Sequence, residues 1–304
     1  MFINKIIAKI VSVMPEKLVW IFSKKYIAGK TLDDAVRVTR QLNSGGITAT
    51  IDVLGEYIRK TQEALEYKEG YIKTIEAIHS NNLKATLSLK PSMFGLLIDK
   101  DFCFGHIREV VKFAHDSNIS ICLDMEDSTC TDNELDIFER LYREFPKTVS
   151  FVLQAYLHRT IRDLERLSKI NNAESPINVR ICKGIYIEPQ QIAYQKKQDV
   201  NKNYVRCLTY MAANNFYCSI ATHDKKLITA ANHIISQYKL AKDRYEFQML
   251  YGVRPDLRKT IVDKGHAMRV YVPYGTHWFG YSTRRLKENP RMITHILKAL
   301  IFRG

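Results

Sequence analysis

One pattern recurs eight times along this chain: a short run of β-branched and apolar residues, a polar or Gly/Pro end, then a helical stretch. The runs are TATIDVLG (48–55), KATLSLKP (84–91), SICLDMED (120–127), SFVLQAYL (150–157), INVRICKG (177–184), CSIATHD (218–224), YEFQMLYG (245–252) and AMRVYVPYG (267–275). Two strands separated by a helix cannot form a tight hairpin, so the crossover makes them parallel. Eight such units predict an α/β fold, a (β/α)8 barrel of the TIM type. Segments 56–80 and 133–145 are among the expected helices between strands. Ahead of the first strand, TLDDAVRVTRQLN (31–43) opens with Thr31 and Asp34 at capping-box spacing and closes at Ser44-Gly45-Gly46, an extra N-terminal helix. Residues 31–304 are expected to form one barrel domain and residues 1–30 a separate basic segment.

The chain has 304 residues, 46% hydrophobic and 26% charged, which excludes disordered and collagen-like classes. Its six cysteines contain no C-x-x-C, and the chain is too long for a disulfide scaffold, so free thiols in a reducing compartment are expected. No uninterrupted apolar stretch is long enough to span a bilayer. The N-terminal apolar run is broken by Lys5 and Lys9, ends at Pro15 and lacks a small-residue cleavage site, so it does not read as secretory. The net charge of +14 points to phosphates, a membrane surface or an acidic partner. Residues 1–30 hold six lysines and one acid, Glu16. Two readings stand: a basic amphipathic segment lying on a membrane, or short helices packed on the domain.

In a barrel of this kind the chemistry sits at the C-terminal ends of the strands. This sequence places Lys90, Asp124, Glu126, Asp127, Gln154, Tyr156, Arg180, Lys183, Thr222, His223 and Asp224 on or just past such ends, and Glu246, Gln248, Arg269, Tyr271 and Tyr274 within the last two runs. A charge inside an apolar strand is costly unless paired or used. So many at converging ends mark one functional mouth. After the eighth strand, Tyr281, Arg284, Arg285 and Glu288 share one side of a helix. Adjacent arginines suit a carboxylate or phosphate. Lys183 at a strand end also fits a Schiff-base nucleophile, as in an aldolase. Glycines at G-x-G spacing, G-x-x-x-x-G-K-[ST], H-E-x-x-H and G-x-S-x-G are all missing, and His223 and His277 have no partner at metal spacing, so no metal is expected.

The ordered set LSLKP (87–91), LDMED (123–127), VLQAY (152–156), VRICKGIYIEP (179–189), ATHD (221–224), EFQMLYGVR (246–254), RVYVPYG (269–275) and YSTRRLKE (281–288) resembles the proline dehydrogenases, FAD-dependent (β/α)8 enzymes of proline catabolism. The resemblance implies oxidation of L-proline to Δ1-pyrroline-5-carboxylate. Hydride passes from substrate C5 to flavin N5, and electrons then go to a membrane quinone. It implies a carboxylate clamp of Lys90, Arg284 and Arg285, with Asp124 organising Tyr271 and the amine side. Tyr186, Leu250, Tyr271 and Tyr281 become walls around the ring. Arg180 is expected near flavin N5, with Gln154, Lys183, Gly184, Thr222, His223, Gln248 and Glu288 also holding FAD.

Two departures stand out: Ile185 replaces the family's usual alanine, which leaves a related substrate such as hydroxyproline open, and Glu288-Asn289-Pro290-Arg291-Met292 differs from the usual run after the arginines. Glu56 is a candidate gate against a clamp arginine. At this length the resemblance implies a monofunctional enzyme. The basic termini imply a cytoplasmic protein held peripherally on the inner face of an anionic membrane. Nucleic acid is not an expected partner, because no helix-turn-helix, zinc finger or stacking motif is present.

Overall fold

The computed structural model describes residues 16–55 and 57–288, with the side chains of residues 17, 18, 21, 22 and 284–288 outside that description, as is Glu56. Eight parallel strands form a closed barrel in chain order. They are β1 (Thr48–Val53), β2 (Ala85–Leu89), β3 (Ile121–Leu123), β4 (Val149–Gln154), β5 (Asn178–Cys182), β6 (Tyr217–Ala221), β7 (Tyr245–Leu250) and β8 (Met268–Tyr274). Closure is made by β8 pairing with β1, from Thr48 opposite Arg269 to Val53 opposite Tyr274. Every run expected as a strand is one.

The helices are α1 (Glu16–Ser23), α2 (Leu32–Ser44), α3 (Thr61–Ser80), α4 (Lys100–Asp116), α5 (Thr131–Glu144), α6 (Thr160–Ser168), α7 (Lys197–Ala213), α8 (Lys225–Gln237), α9 (Pro255–Asp263) and α10 (Trp278–Glu288). Helix α2 starts where its capping box demanded, with the Asp34 amide donating to Thr31 Oγ1 and the Thr31 amide to Asp34 Oδ2. Helix α3 starts at Thr61 rather than at residue 56. The backbone before it is used at the barrel rim, where Tyr57 has φ 42° and the Ile58 amide donates to Ser92 O.

Alternate strand residues divide between two environments. Ile51, Ile181, Phe247 and Val270 point outward and are buried against the core. Asp52, Arg180, Gln248 and Tyr271 point inward and line a cavity. The lumen is therefore polar and layered. Its lower layer holds an ion pair, Arg269 Nε to Glu246 Oε1 at 2.7 Å, with Arg269 also donating to Ala49 O at 2.8 Å. These two charged residues begin β7 and β8 and line a separate cavity of about 330 Å³ at the N-terminal end. Their expected place with the mouth residues is thus corrected: being at the second position of each strand puts them two residues below Gln248 and Tyr271.

Residues 16–30 pack on the domain. Val19 and Ile27 are buried. Trp20 meets Trp278 at a centroid distance of 4.7 Å, and the Lys30 ammonium lies 5.0 Å and 5.5 Å from the two rings. The Ala28 amide donates to Pro273 O at 2.9 Å. Residues 1–15 are outside the described residues, so the membrane reading of that part is not addressed. Among the described residues, no helix is long and apolar enough to cross a membrane.

Candidate active site

A cavity of about 1390 Å³ opens at the C-terminal end of the barrel. That exceeds the volume of an ordinary small-molecule pocket. At its floor four charges meet. Lys90, one residue past β2, brings its Nζ to 2.5 Å from Asp52 Oδ1 and 3.5 Å from Asp124 Oδ2. Arg180 on β5 donates from Nη1 to Asp124 Oδ1 at 2.9 Å and from Nε to Gln248 Oε1 at 2.7 Å. The Tyr271 hydroxyl donates to Asp124 Oδ2 at 2.8 Å. Gln248 in turn donates to Glu246 Oε1 at 2.7 Å, which ties this cage to the ion pair below.

Burial decides the electrostatics. It raises the Asp52 carboxyl above its usual range, against the pull of Lys90. It would raise Asp124 too, but Lys90 and Arg180 outweigh it and hold that carboxyl low. Burial disfavours the Lys90 cation, yet Asp52, Tyr271 and Asp124 hold it protonated far above the usual range. The Tyr271 phenol is pushed up by burial and by both carboxylates, so it remains a donor. Two anions and two cations make a cage with no net charge.

The wall and rim residues come from the following loops. Gly184 sits at φ 105°, and a Cβ there would lie 2.1 Å from the Tyr156 ring. Only glycine fits that turn. Gln154 donates to Glu126 O at 2.7 Å and accepts from the Ile185 amide at 3.4 Å, which pins two loops. His223 Nε2 accepts from the Leu250 amide at 2.9 Å, so the ring is fixed with Leu250 beside it. The Asp224 amide donates to Thr222 Oγ1 at 3.1 Å. Lys183 pairs with Asp224 at 2.8 Å, with Lys197 at 3.6 Å from the same carboxylate. Those cations hold Asp224 down at about 2 despite partial burial. Lys183 is thus engaged by Asp224 at the rim, and the aldolase reading gains no support from its surroundings.

Most of the expected residues share this cavity: Lys90, Asp124, Gln154, Arg180, Lys183, Gly184, Tyr186, Thr222, His223, Gln248, Leu250, Tyr271 and Tyr281 all line it. Arg284, Arg285 and Glu288 lie on α10, with side chains outside the described residues. Glu126 turns the other way. It accepts from the Ser92 amide at 2.8 Å and hydroxyl at 2.6 Å, bracing the turn after Lys90. Its amide donates to buried Glu134 at 3.0 Å. Glu126, Cys130 and Glu134 bring three oxygen and sulfur atoms within 4.8 Å of one another. Burial lifts the Cys130 thiol to about 12 and, with the neighbouring Glu126, raises Glu134 well above its usual range, so burial disfavours the charged forms a metal would need and the group reads as a brace.

Sequence reasoning missed Asp52, although a carboxylate inside TATIDVLG carried the same signal as Asp124. It also missed Cys182, which lines the cavity and whose thiol burial pushes up to about 11.

Comparison with known proteins agrees with this geometry. The proline dehydrogenase family model matches residues 35–295. Proline dehydrogenase 2 of Bacillus subtilis is 37% identical over 276 residues, covering 91% of this chain and 89% of that one. The proline dehydrogenase of Deinococcus radiodurans is 35% identical over 287 residues, covering 93% and 91%. A crystal structure of proline utilization A from Bdellovibrio bacteriovorus, inactivated by N-propargylglycine, has a TM-score of 0.82 at 27% identity, over 88% of this chain and 32% of that longer one. The matched segment contains the whole barrel and its charged floor, and the chain belongs to the proline dehydrogenase family.

Proposed function

We propose that this chain oxidises L-proline to Δ1-pyrroline-5-carboxylate with FAD, and that the electrons pass to a membrane quinone. The observation that carries the reading is the neutral cage of Asp52, Lys90, Asp124 and Arg180 beneath a large cavity. A zwitterion such as proline brings no net charge and needs both signs at fixed places.

The cavity fits a flavin on two counts. Its volume exceeds what a five-membered ring needs, and Lys183, Lys197, Lys225 and Lys226 line it with cations that suit phosphates. Gln154, Arg180, Lys183, Gly184, Thr222, His223 and Gln248 would hold the group, with Glu288 on α10. Bound there, FAD supplies a two-electron hydride acceptor. The rest is done by the chain. Arg180 offers a fixed cation at the cavity floor, oriented by Asp124 and Gln248. Tyr186, Leu250, Tyr271 and Tyr281 enclose an apolar ring, and Tyr271 keeps its hydroxyl proton directed at Asp124. Arg284 and Arg285 on α10 are the carboxylate clamp, joined by Lys90.

The experiment is a visible spectrum of purified protein before and after anaerobic L-proline. Flavin bands that bleach on addition support both cofactor and substrate. Bands that persist refute proline, and hydroxyproline is tried next. No bands after reconstitution with FAD refute the flavoenzyme reading. For the membrane, the support is charge: residues 1–30 and 284–304 each hold six Lys/Arg and a single acid. We propose a cytoplasmic enzyme attached peripherally to the inner face. Cosedimentation with anionic vesicles at low salt is the expected result, and its absence ends that part.

A further inference from the structure

We infer that Asp52 is a positioning residue of the substrate site, holding the Lys90 ammonium in register with Asp124 and Tyr271 and keeping the cage neutral. The inference rests on the proline reading, and goes beyond it by naming what directs Lys90. Asp52 is 1% exposed and lies on β1, paired with Ser88 of β2 on one side and Pro273 of β8 on the other. It is therefore set by two strand ladders and not by a loop. Its contact with Lys90, 2.5 Å, is far shorter than the 3.5 Å from Lys90 to Asp124 or the 3.4 Å to the Tyr271 hydroxyl. Lys90 is thus anchored by Asp52 and reaches Asp124 and Tyr271 from that anchor.

Charge gives the second argument. Without Asp52 the cage would hold Lys90 and Arg180 against Asp124 alone, a net of one positive charge in a buried site. Such a site would favour any small carboxylate. With Asp52 the floor has no excess cation, so selectivity for a substrate carrying both an anion and an amine is built in. Discrimination against the simple acid arises from the desolvated second carboxylate. The groups facing Asp52 and Lys90 are Asp124 after β3, Tyr271 on β8, Tyr71 on α3 and, through Asp124, Arg180 on β5. Tyr71 is fully buried, so the cage is closed to water on that side. Lys90 holds its proton far above neutral pH and Asp124 is held low, while burial raises Asp52 against the pull of the Lys90 ammonium it contacts. Lys90 therefore acts as a fixed donor because Asp52 keeps it charged.

The test is Asp52→Asn, which keeps the side-chain volume and removes the charge. Three readouts follow. Cyclopentanecarboxylate, a carboxylate with proline's ring size and no amine, should bind several-fold more tightly to the variant, read from perturbation of the flavin bands. The kcat for proline should fall by roughly 100-fold through lost registration, with KM not raised. The pH profile of kcat should gain a new basic limb, as Lys90 with one carboxylate neighbour fewer titrates at lower pH. A variant with wild-type probe affinity, kcat and pH profile overturns the inference, and so does weaker probe binding with a raised KM. If Asp52→Asn loses its flavin or its fold, the neutral pair Asp52→Asn/Lys90→Met is compared with Lys90→Met alone. Recovery of thermal stability in the pair supports the coupling, and a further additive loss overturns it. Probe binding and this coupling need no proline turnover, so they fail or hold independently of whether proline bleaches the wild-type flavin.

Discussion

Arg180 Nη1 donates to Asp124 Oδ1 at 2.9 Å, and both side chains are almost wholly out of water. The other Asp124 oxygen is taken by Tyr271 at 2.8 Å, so one carboxylate orients a cation and a phenol at once. Removing one partner of a buried charged pair leaves the other uncompensated. Asp124→Asn should therefore lower kcat/KM for proline by about 100-fold, roughly 3 kcal/mol, with flavin retained. Steady-state kinetics with the flavin content of each preparation check it, and a change under threefold would remove Asp124 from the cage.

Gly184→Ala should abolish flavin loading while the barrel still folds. The φ of 105° is unfavourable for alanine, and the new methyl would overlap Tyr156. The double variant with Tyr156→Ala relieves the overlap but not the backbone strain, so it should recover loading only in part. Flavin-to-protein absorbance ratios measure both, and full loading of Gly184→Ala would show that this turn is not tight.

Glu134 gives a prediction about stability and pH. Burial and its neighbour Glu126 raise its folded pKa well above 4.5. Below that unfolded value both states are protonated and the residue costs nothing. As pH rises past it, the unfolded state gains by ionising while the folded state does not, so stability is lost progressively. Glu134→Gln keeps the acceptor for the Glu126 amide and removes the titration. Its melting temperature should equal wild type near pH 4 and exceed it at pH 8. Equal melting temperatures at both values would show that Glu134 ionises freely in the fold.

Trp20 and Trp278 are the only two tryptophans of the chain, and they pack on each other at a tilt of 59° with Lys30 above both rings. Helix α1 thereby straps α10, the helix that carries Arg284 and Arg285. Trp20→Ala should cost about 2 kcal/mol, near 3 °C in Tm, and shift the emission of the remaining Trp278 to the red. It should also raise the KM for proline, because α10 loses its support. Unchanged emission and Tm would mean that this ring contact does not strap α10.

The eight βα units, the start of α2 and the strand-end polar residues could all be read along the chain. Each depends on neighbours within a few residues: β-branched runs, a Thr31–Asp34 cap, glycine punctuation. Barrel closure followed from their number, since eight parallel strands have no edge left to cover. What could not be read was depth and partnership. Glu246 and Gln248 look alike in YEFQMLYG, yet one pairs with Arg269 in the lower layer and the other orients Arg180 in the upper. Asp52 and Lys90 are 38 residues apart, and their contact exists because β1 and β2 lie side by side with Asp52 opposite Ser88. The strap between Trp20 and Trp278 likewise joins the two ends of the described chain. Local chemistry set which residues become strands and helices, because those propensities act over a few bonds. The charge balance of the mouth came from register and closure, because a buried ion is stable only beside its partner, and packing across the barrel chooses that partner.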